Sequence, residues 1–209
     1  MGRCGTNGDV ESMILWDPDG DGPATHKVIV GGAFTSVCNV TAMNVAMYDP
    51  DTNQWSPMGA GLGTTPFGTS SERVTGFAVQ PNGRLFAVGR FASTGGMSAG
   101  SVARWTGSQW LPVGSGVQLN GNTAEISAVQ TMPNGDLIVG GLFNVAGSVT
   151  ANSIARWDGD SWSSVGVGVS GETAGRVNAL ELMPSGDLIA GGTFTSAGGV
   201  PASKIARWD

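Results

Sequence analysis

Short apolar runs alternate with polar turns along the whole chain, and glycine, proline or asparagine separates one run from the next. Runs such as Val177–Leu182 alternate apolar and polar side chains at a period near two, which is typical of half-buried β-strands. No segment keeps the apolar period of a helix over a useful length. The pattern therefore predicts an all-β chain of many short strands.

One phenylalanine motif recurs and sets the register of an internal repeat. The segments VGGAF, VGRF, VGGLF and AGGTF end at Phe34, Phe91, Phe143 and Phe194, with spacings of 57, 52 and 51 residues. Fourteen residues after each of them comes Tyr48, Trp105, Trp157 or Trp208. The repeat predicts four copies of one unit, at about 9–62, 73–117, 125–169 and 176–209.

Each copy is expected to form four short antiparallel strands. A PNG or PSG turn separates the first two strands, a small-residue loop such as TSAGG follows the second, and Asp158-Gly159 leads into a fourth strand with Trp162. Four such strands at this period predict a β-propeller blade, whose two faces are buried only by stacking on other blades. The Gly-Gly pair fits a close approach of two strands.

The fourth copy stops after its third strand, so the sequence predicts an incomplete last blade. We expect the chain to be part of a larger ring, completed by flanking blades or by a second copy of the chain. A complete four-bladed ring is the alternative.

The Gly-Gly pair, the later aromatic residue and the tryptophan beyond it resemble the kelch class of propeller repeat. The first copy is the closest, with Gly31-Gly32 followed by Tyr48 and Trp55, although the turn before the second tryptophan is shorter in later copies. The form GGxFTxAGG…IARWDG…W…GxG is also similar to the propeller repeats of large secreted or surface bacterial proteins and of fungal cortical cell-polarity marker proteins. The resemblance implies a propeller, an interaction role and an extracellular or cell-surface location; it transfers no catalytic residue.

Composition narrows the possible partners. The chain has 209 residues, 35 of them glycine, and a net charge of −6 with only ten lysines and arginines. A protein without a basic cluster has no electrostatic footprint for a phosphate backbone, so nucleic acid is not an expected partner. No run of apolar residues is long enough for a transmembrane helix, and no signal peptide is visible.

One acidic segment suggests a metal site. Asp17, Asp19 and Asp21 alternate in DPDGDG, which matches the start of a calcium loop, so Ca²⁺ is the one candidate cofactor. The twelfth loop position, however, is Val28 and not a bidentate glutamate. An ion-free turn rich in aspartate and glycine is the alternative.

The two cysteines, Cys4 and Cys38, are too few for a disulfide-built scaffold. They stand 34 positions apart and could pair, but sequence alone does not bring them within bonding distance. Two unpaired, partly buried thiols are the favoured interpretation.

Repeated arginine and tryptophan residues allow two interpretations each. Arg104, Arg156 and Arg207 occupy one repeat position and could form an anion-binding ring, but pairing with nearby carboxylates or aromatic rings is favoured. The repeated tryptophans are expected to pack blades together. Trp16 has no counterpart in the other copies and, if exposed, is the candidate ligand-contact residue.

The sequence contains few residues that could act in catalysis. His26 is the only histidine, and no nucleophile-elbow, phosphate-loop or zinc-protease motif occurs. We therefore predict no catalytic residue and no enzyme, but a propeller scaffold or binding module for a protein or glycan partner. The alternative is a carbohydrate-binding propeller, or the non-catalytic propeller part of a larger secreted carbohydrate-active enzyme.

Overall fold

The computed structural model describes residues 4–19, 22–63, 72–171 and 175–209. In these ranges the regular structure is β-strand, and they contain no helix long and apolar enough to span a membrane. The predicted all-β class is confirmed. The chain divides into two compact units, Met1–Val113 (unit 1) and Gly114–Asp209 (unit 2), and each is described by itself.

Unit 1 contains two blades of four antiparallel strands. Its strands are β1 (Asp9–Trp16), β2 (Lys27–Ala33), β3 (Ser36–Val37), β4 (Val40–Thr41), β5 (Val45–Asp49), β6 (Gln54–Pro57), β7 (Arg73–Val79), β8 (Leu85–Arg90), β9 (Ser93–Thr94), β10 (Met97–Ser98), β11 (Val102–Trp105) and β12 (Trp110–Pro112). Blade 1 has the order β1-β2-β5-β6, and blade 2 has the order β7-β8-β11-β12. The pairs β3–β4 and β9–β10 form small ribbons beside them.

Unit 2 repeats this arrangement. Its strands are β13 (Val117–Leu119), β14 (Asn122–Thr123), β15 (Glu125–Thr131), β16 (Leu137–Leu142), β17 (Val145–Ala146), β18 (Val149–Thr150), β19 (Ile154–Trp157), β20 (Trp162–Ser164), β21 (Val169–Ser170), β22 (Val177–Leu182), β23 (Leu188–Gly192), β24 (Ser196–Ala197), β25 (Val200–Pro201) and β26 (Ile205–Trp208). Blade 3 has the order β15-β16-β19-β20. Among the described residues, blade 4 has the three strands β22-β23-β26.

Each blade starts with a β-bulge that explains one of the repeated glycines. The register of the first strand against the second shifts in every copy, for example between Val177 and Ala179. Facing each bulge, two residues before the repeated phenylalanine, lie Gly32, Gly89, Gly141 and Gly192. A Cβ at any of the four would overlap a main-chain oxygen of the bulged strand. The predicted close approach of strands is therefore confirmed at this position.

The glycine one position earlier packs against the next blade. A Cβ on Gly31 would lie 2.6 Å from Cγ1 of Val74, on the first strand of blade 2. In unit 2, a Cβ on Gly140 would overlap Val177, on the first strand of blade 4. The core of unit 1 fills the space between its blades and includes Ile29, Val45, Val74, Leu85 and Phe91.

The repeated aromatic residues hold strands and blades together. Tyr48 and Trp55, Trp105 and Trp110, and Trp157 and Trp162 pair across the third and fourth strands, with ring centroids 5.2, 5.2 and 5.3 Å apart. The first glycine of a G-x-G segment, Gly59, has φ +59° and packs against Trp105 of blade 2. The repeated aromatic residues therefore have the role in blade packing that the sequence predicted.

The small-residue loops of the prediction are in fact ribbons. The second and third residues after each repeated phenylalanine pair with the sixth and seventh, as in β3–β4 and β24–β25. A residue from the segment before each blade then adds to the ribbon: Thr6 pairs with Val37, and Leu62 pairs with Thr94. The sequence analysis missed these strands because two-residue strands carry no alternation of apolar and polar positions.

Residues 5–7 form a strap along the ribbon of blade 1. Cys38 N donates to Gly5 O (2.7 Å), and Asn7 N donates to Ser36 O (3.1 Å). The strap brings Cys4 beside Cys38, with their Cα atoms 4.8 Å apart, and the two form a disulfide. The expectation of two unpaired thiols was wrong, because the strap's pairing could not be deduced from cysteine spacing.

Candidate functional site

A pocket of about 440 Å³ lies between the two blades of unit 1. The end of β1, the start of β2 and the middle of β5 form its blade 1 side, and the β7–β8 hairpin with the end of β11 forms its blade 2 side. The lining side chains used below are Trp16, Lys27, Met47, Arg84 and Trp105. Because hairpins from two blades meet here, the pocket combines an apolar wall with charged rims.

Trp16 forms part of the wall but is not exposed. Only 8% of its surface reaches solvent, and its Nε1 donates to the Gly83 carbonyl oxygen at 2.9 Å. The sequence analysis made Trp16 a candidate ligand contact only if its side chain is exposed. The structure buries it, so that condition is not met. The physical reason is that the β7–β8 hairpin of blade 2 covers the indole. Its contact role stays a prediction and is limited to the edge that lines the pocket.

Lys27 is neutralised on the blade 1 side of the pocket. Its Nζ lies 2.8 Å from Asp49 Oδ1 and 3.4 Å from Asp51 Oδ2. The hydrogen bond with Asp49 raises the pKa of Lys27, and the same bond lowers the pKa of Asp49. Lys27 is thus held charged but already has two carboxylate partners.

Unit 2 has a pocket of about 520 Å³ at the equivalent place between blades 3 and 4. Here a buried acid, Asp136, pairs with Arg156 of the neighbouring strand. Blade 4 has the same pair, with Arg207 Nη2 3.2 Å from Asp187 Oδ2. For Arg156 and Arg207, the favoured interpretation of carboxylate pairing matches the structure.

Blade 2 breaks this pattern. The position of Asp136 and Asp187, seven residues before the repeated phenylalanine, is occupied by Arg84, while Arg104 is retained. Within the described part of the chain, no acidic side chain forms an ion pair with Arg84 or Arg104. Two guanidinium groups thus take the places that an ion pair occupies in blades 3 and 4.

The sequence analysis did not single out Arg84, although a signal was present. The turn reads PNGR in copy two, but PNGD and PSGD in copies three and four. Alignment on the repeated phenylalanine alone would have exposed the exchange of an acid for a base.

The proposed calcium loop is only partly described. The main-chain N–H of Asp19 donates to Asp17 Oδ1 (3.2 Å), and that of Ala24 donates to Asp19 Oδ2 (3.1 Å). Asp21 lies outside the described residues, within which no group of three acidic, histidine or cysteine side chains could hold a metal ion. Calcium binding through Asp17, Asp19 and Asp21 stays a prediction.

Calcium is expected to raise the melting temperature, because three carboxylates around one cation would fix the β1–β2 hairpin. Differential scanning calorimetry with calcium and with chelator measures the shift. Asp19→Ala should remove it, whereas Asp160→Ala, in another exposed turn, should leave it intact. Identical melting curves with calcium and with chelator would exclude the calcium site.

His26 does not form part of a catalytic group in the described residues. Its Nε2 is 3.8 Å from Asp17 Oδ2, and its side chain is mostly exposed. No hydroxyl or thiol nucleophile is bonded to it in the contacts of the described chain. This arrangement offers no acid–base pair around a nucleophile.

Comparisons with known proteins agree with the fold. A family described as a domain of unknown function (DUF5122) β-propeller matches residues 133–161 and 184–207, which lie in the third and fourth copies and make up less than half of the chain. No curated protein matches the chain significantly. The finer resemblances, to kelch repeats and to fungal cell-polarity markers, stay predictions.

Three solved structures are similar to the chain, which spans less than two thirds of each. The extracellular domain of a candidate one-component system from B. thetaiotaomicron is 11% identical, with a TM-score of 0.52 over 95% of this chain and 21% of its own. The WD40 β-propeller domain of Doa1 is 12% identical, with a TM-score of 0.48 over 96% and 50%. A candidate gluconolactonase is 15% identical, with a TM-score of 0.49 over 98% and 66%.

The last of these corrects one prediction. We predicted that the chain is not an enzyme. That prediction was wrong in excluding every enzymatic activity, because a structure similar to the chain is described as a candidate gluconolactonase. A fold does not fix a function, and loops on a propeller can carry catalytic groups. At this identity the similarity concerns the fold and assigns no activity to the chain. The repeated antiparallel sheets, the family match and the similarity to the extracellular domain together make this an all-β chain of β-propeller blades.

Proposed function

We propose that this chain is a ligand-binding β-propeller module of a secreted or cell-surface protein, and that the pocket between blades 1 and 2 binds an acidic carbohydrate. The disulfide between Cys4 and Cys38 supports an oxidising location. The similarity to an extracellular domain is consistent with that location. The finer proposal, a ligand class, depends on the chemistry of the pocket.

The observation that carries the proposal is the charge of blade 2. Arg84 and Arg104 stand where blades 3 and 4 have an aspartate–arginine pair that the fold uses for its own stability. Arg84 lines the pocket and has no acidic partner among the described residues, so its charge is available to an anionic ligand. A bound carboxylate or sulfate would restore the neutralisation that Asp136 provides in blade 3.

The apolar wall of the pocket favours a sugar as the ligand over a small inorganic anion. Trp105 lines the pocket and is half-buried; it also contacts Trp110 and Gly59 and packs against the core of unit 1. A flat aromatic surface beside polar groups suits a sugar ring, which is apolar on its faces and polar at its edge. The combination of the Trp105 indole and the Arg84 guanidinium group therefore favours a uronic acid or a sulfated sugar.

A test uses trigalacturonate and its methyl ester, which has the same rings without the charges. We expect calorimetric titration to detect trigalacturonate binding and at least tenfold weaker binding of the ester, since a charge-assisted hydrogen bond contributes about 1.5–3 kcal/mol. Arg84→Ala should weaken trigalacturonate binding by about tenfold or more for the same reason. Arg90→Ala, which removes an exposed cation at the end of β8, is the matched control and should have no effect.

Arg84→Asp separates this function from structure. It recreates the acid of blades 3 and 4 beside Arg104, so trigalacturonate binding should be lost while the melting temperature stays the same or rises. Equal affinity for the acid and its ester, or unchanged binding in Arg84→Asp, would contradict an acidic-carbohydrate site.

A further inference from the structure

Blade 1 has an exposed apolar surface whose counterpart in the other blade of its unit is partly buried. On β1, Met13 and Leu15 are 69% and 64% exposed. By register, the corresponding residues of blade 2 are Phe77 and Val79, which pack into the core of unit 1 over Gly31 of blade 1. We call the side of blade 1 that carries Met13 and Leu15 the leading face. In blade 2 the same side packs on the preceding blade, whereas the leading face of blade 1 has no blade to pack on among the described residues.

Blade 4 has the opposite surface exposed. Ile205 is 65% exposed, although the residues at its position in the other copies, Val45, Val102 and Ile154, are fully buried. A Cβ on Gly191 would meet nothing nearer than Lys204 O at 3.9 Å, whereas one on the equivalent Gly140 would overlap the next blade. Val200, 62% exposed, lies on the neighbouring ribbon. These residues define the trailing face.

The two faces are complementary in shape. Inside each unit, a first strand with bulky side chains packs on a glycine of the preceding blade: Phe77 on Gly31 in unit 1, and Leu180 on Gly140 in unit 2. The leading face offers the bulky side chains, and the trailing face offers the open glycine. A contact between them would thus repeat an interface that the chain already forms twice.

The charges along the first strands are complementary as well. Arg73 of blade 2 is 3.5 Å from Glu11 of blade 1, and Arg176 of blade 4 is 2.7 Å from Glu125 of blade 3. The position of Arg73 and Arg176 is occupied in blade 1 by Asp9. If a leading face docks on a trailing face, Asp9 of one copy therefore comes close to Arg176 of the other. If two leading faces met, Asp9 of one copy would face Asp9 of the other, and the two charges would repel.

We propose that a second copy of this chain docks head to tail, with the leading face of each copy on the trailing face of the other. Two copies then contribute eight blades, within the range of known propellers of about four to eight. A head-to-tail contact gives a closed ring when the rotation between copies closes and a filament when it does not, so a filament in solution would contradict the proposed dimer.

The first test is the mass in solution. Sedimentation velocity and light scattering should give twice the 21.1 kDa of the chain. Ile205→Asp and Met13→Asp should each weaken the dimer by about 100-fold or more, since the interface would bury an unpaired carboxylate. Both sites are exposed in the single chain, so melting of the monomer should not change. Met97→Asp, at an exposed apolar site on β10 of blade 2 and so outside both faces, should remain dimeric.

Mixing the two variants tests the head-to-tail arrangement. Ile205→Asp and Met13→Asp together retain one intact junction, so the mixture should form a heterodimer that neither variant forms alone. Loss of the dimer in Ile205→Asp but not in Met13→Asp would indicate a contact between two trailing faces and would overturn the proposal. A monomer at all concentrations would also overturn it, and would leave further blades of a longer chain as the cover for both faces.

Discussion

Replacing Gly192 by alanine is expected to destabilise unit 2 by about 3 kcal/mol or more, the usual cost of forcing atoms into a packed site or distorting the main chain around it. The added Cβ would overlap the main-chain oxygen of Arg176, directly before the bulged strand of the same blade. A main-chain atom cannot rotate away as a flexible side chain can. The bulge of blade 4 would therefore have to open, and its pairing with β23 would be lost.

The adjacent residue provides a matched control. Gly191 has no positive φ, and a Cβ there would make only an ordinary contact with Lys204 O at 3.9 Å, so Gly191→Ala should be neutral or slightly stabilising. Urea unfolding measures both, in an Ile205→Asp background so that self-association does not contribute. Equal effects of the two substitutions would show that the glycines serve turn flexibility and not the close approach at the bulge.

The same pair shows how far sequence reasoning reached. The repeat, the four strands per blade and the close approach at Gly-Gly were predicted correctly, because each depends on contacts within one copy that the periodicity reveals. The sequence could not assign separate roles to the two glycines. Gly191 and Gly192 differ only in which neighbour they face, and that depends on the bulge and on the next blade.

The candidate site was harder to predict for a related reason. Trp16 attracted attention as an unrepeated aromatic residue, yet its indole is covered by a hairpin of the next blade. Arg84 was not singled out. Yet it places a positive charge at a position where blades 3 and 4 have an aspartate that pairs with the repeated arginine. In a repeat protein, departures at a position with a known structural partner are more informative than unusual residues without one.

Removing the disulfide is expected to lower the free energy of unfolding by about 3 kcal/mol, because the bond closes a loop between residues 34 positions apart. It also fixes the strap of residues 5–7 on the ribbon of blade 1, through the hydrogen bond from Cys38 N to Gly5 O. The ribbons of blades 3 and 4 have the equivalent main-chain hydrogen bond without a disulfide: Gly147 N donates to Gly116 O, and Gly198 N donates to Gly168 O.

Cys38 itself is strained, which makes the size of the loss testable. Its φ is +55°, and the other three copies have Gly95, Gly147 or Gly198 at this position, with φ of +53°, +59° and +60°. A residue with a side chain costs about 1 kcal/mol or more in this conformation, and glycine does not. A cysteine is tolerated here because the disulfide more than offsets the strain.

Two double variants without free thiols separate the bond from the strain. In a Cys4→Ser background, Cys38→Ser should lose about 3 kcal/mol relative to the native chain, while Cys38→Gly should lose about 1 kcal/mol less. Urea unfolding gives both values, and hydrogen exchange at residue 38 should become faster in each. If the glycine variant were no more stable than the serine variant, the left-handed conformation at Cys38 would carry no cost. If both matched the native chain, the strap would be held by its main-chain hydrogen bonds alone, and the disulfide would contribute nothing to stability.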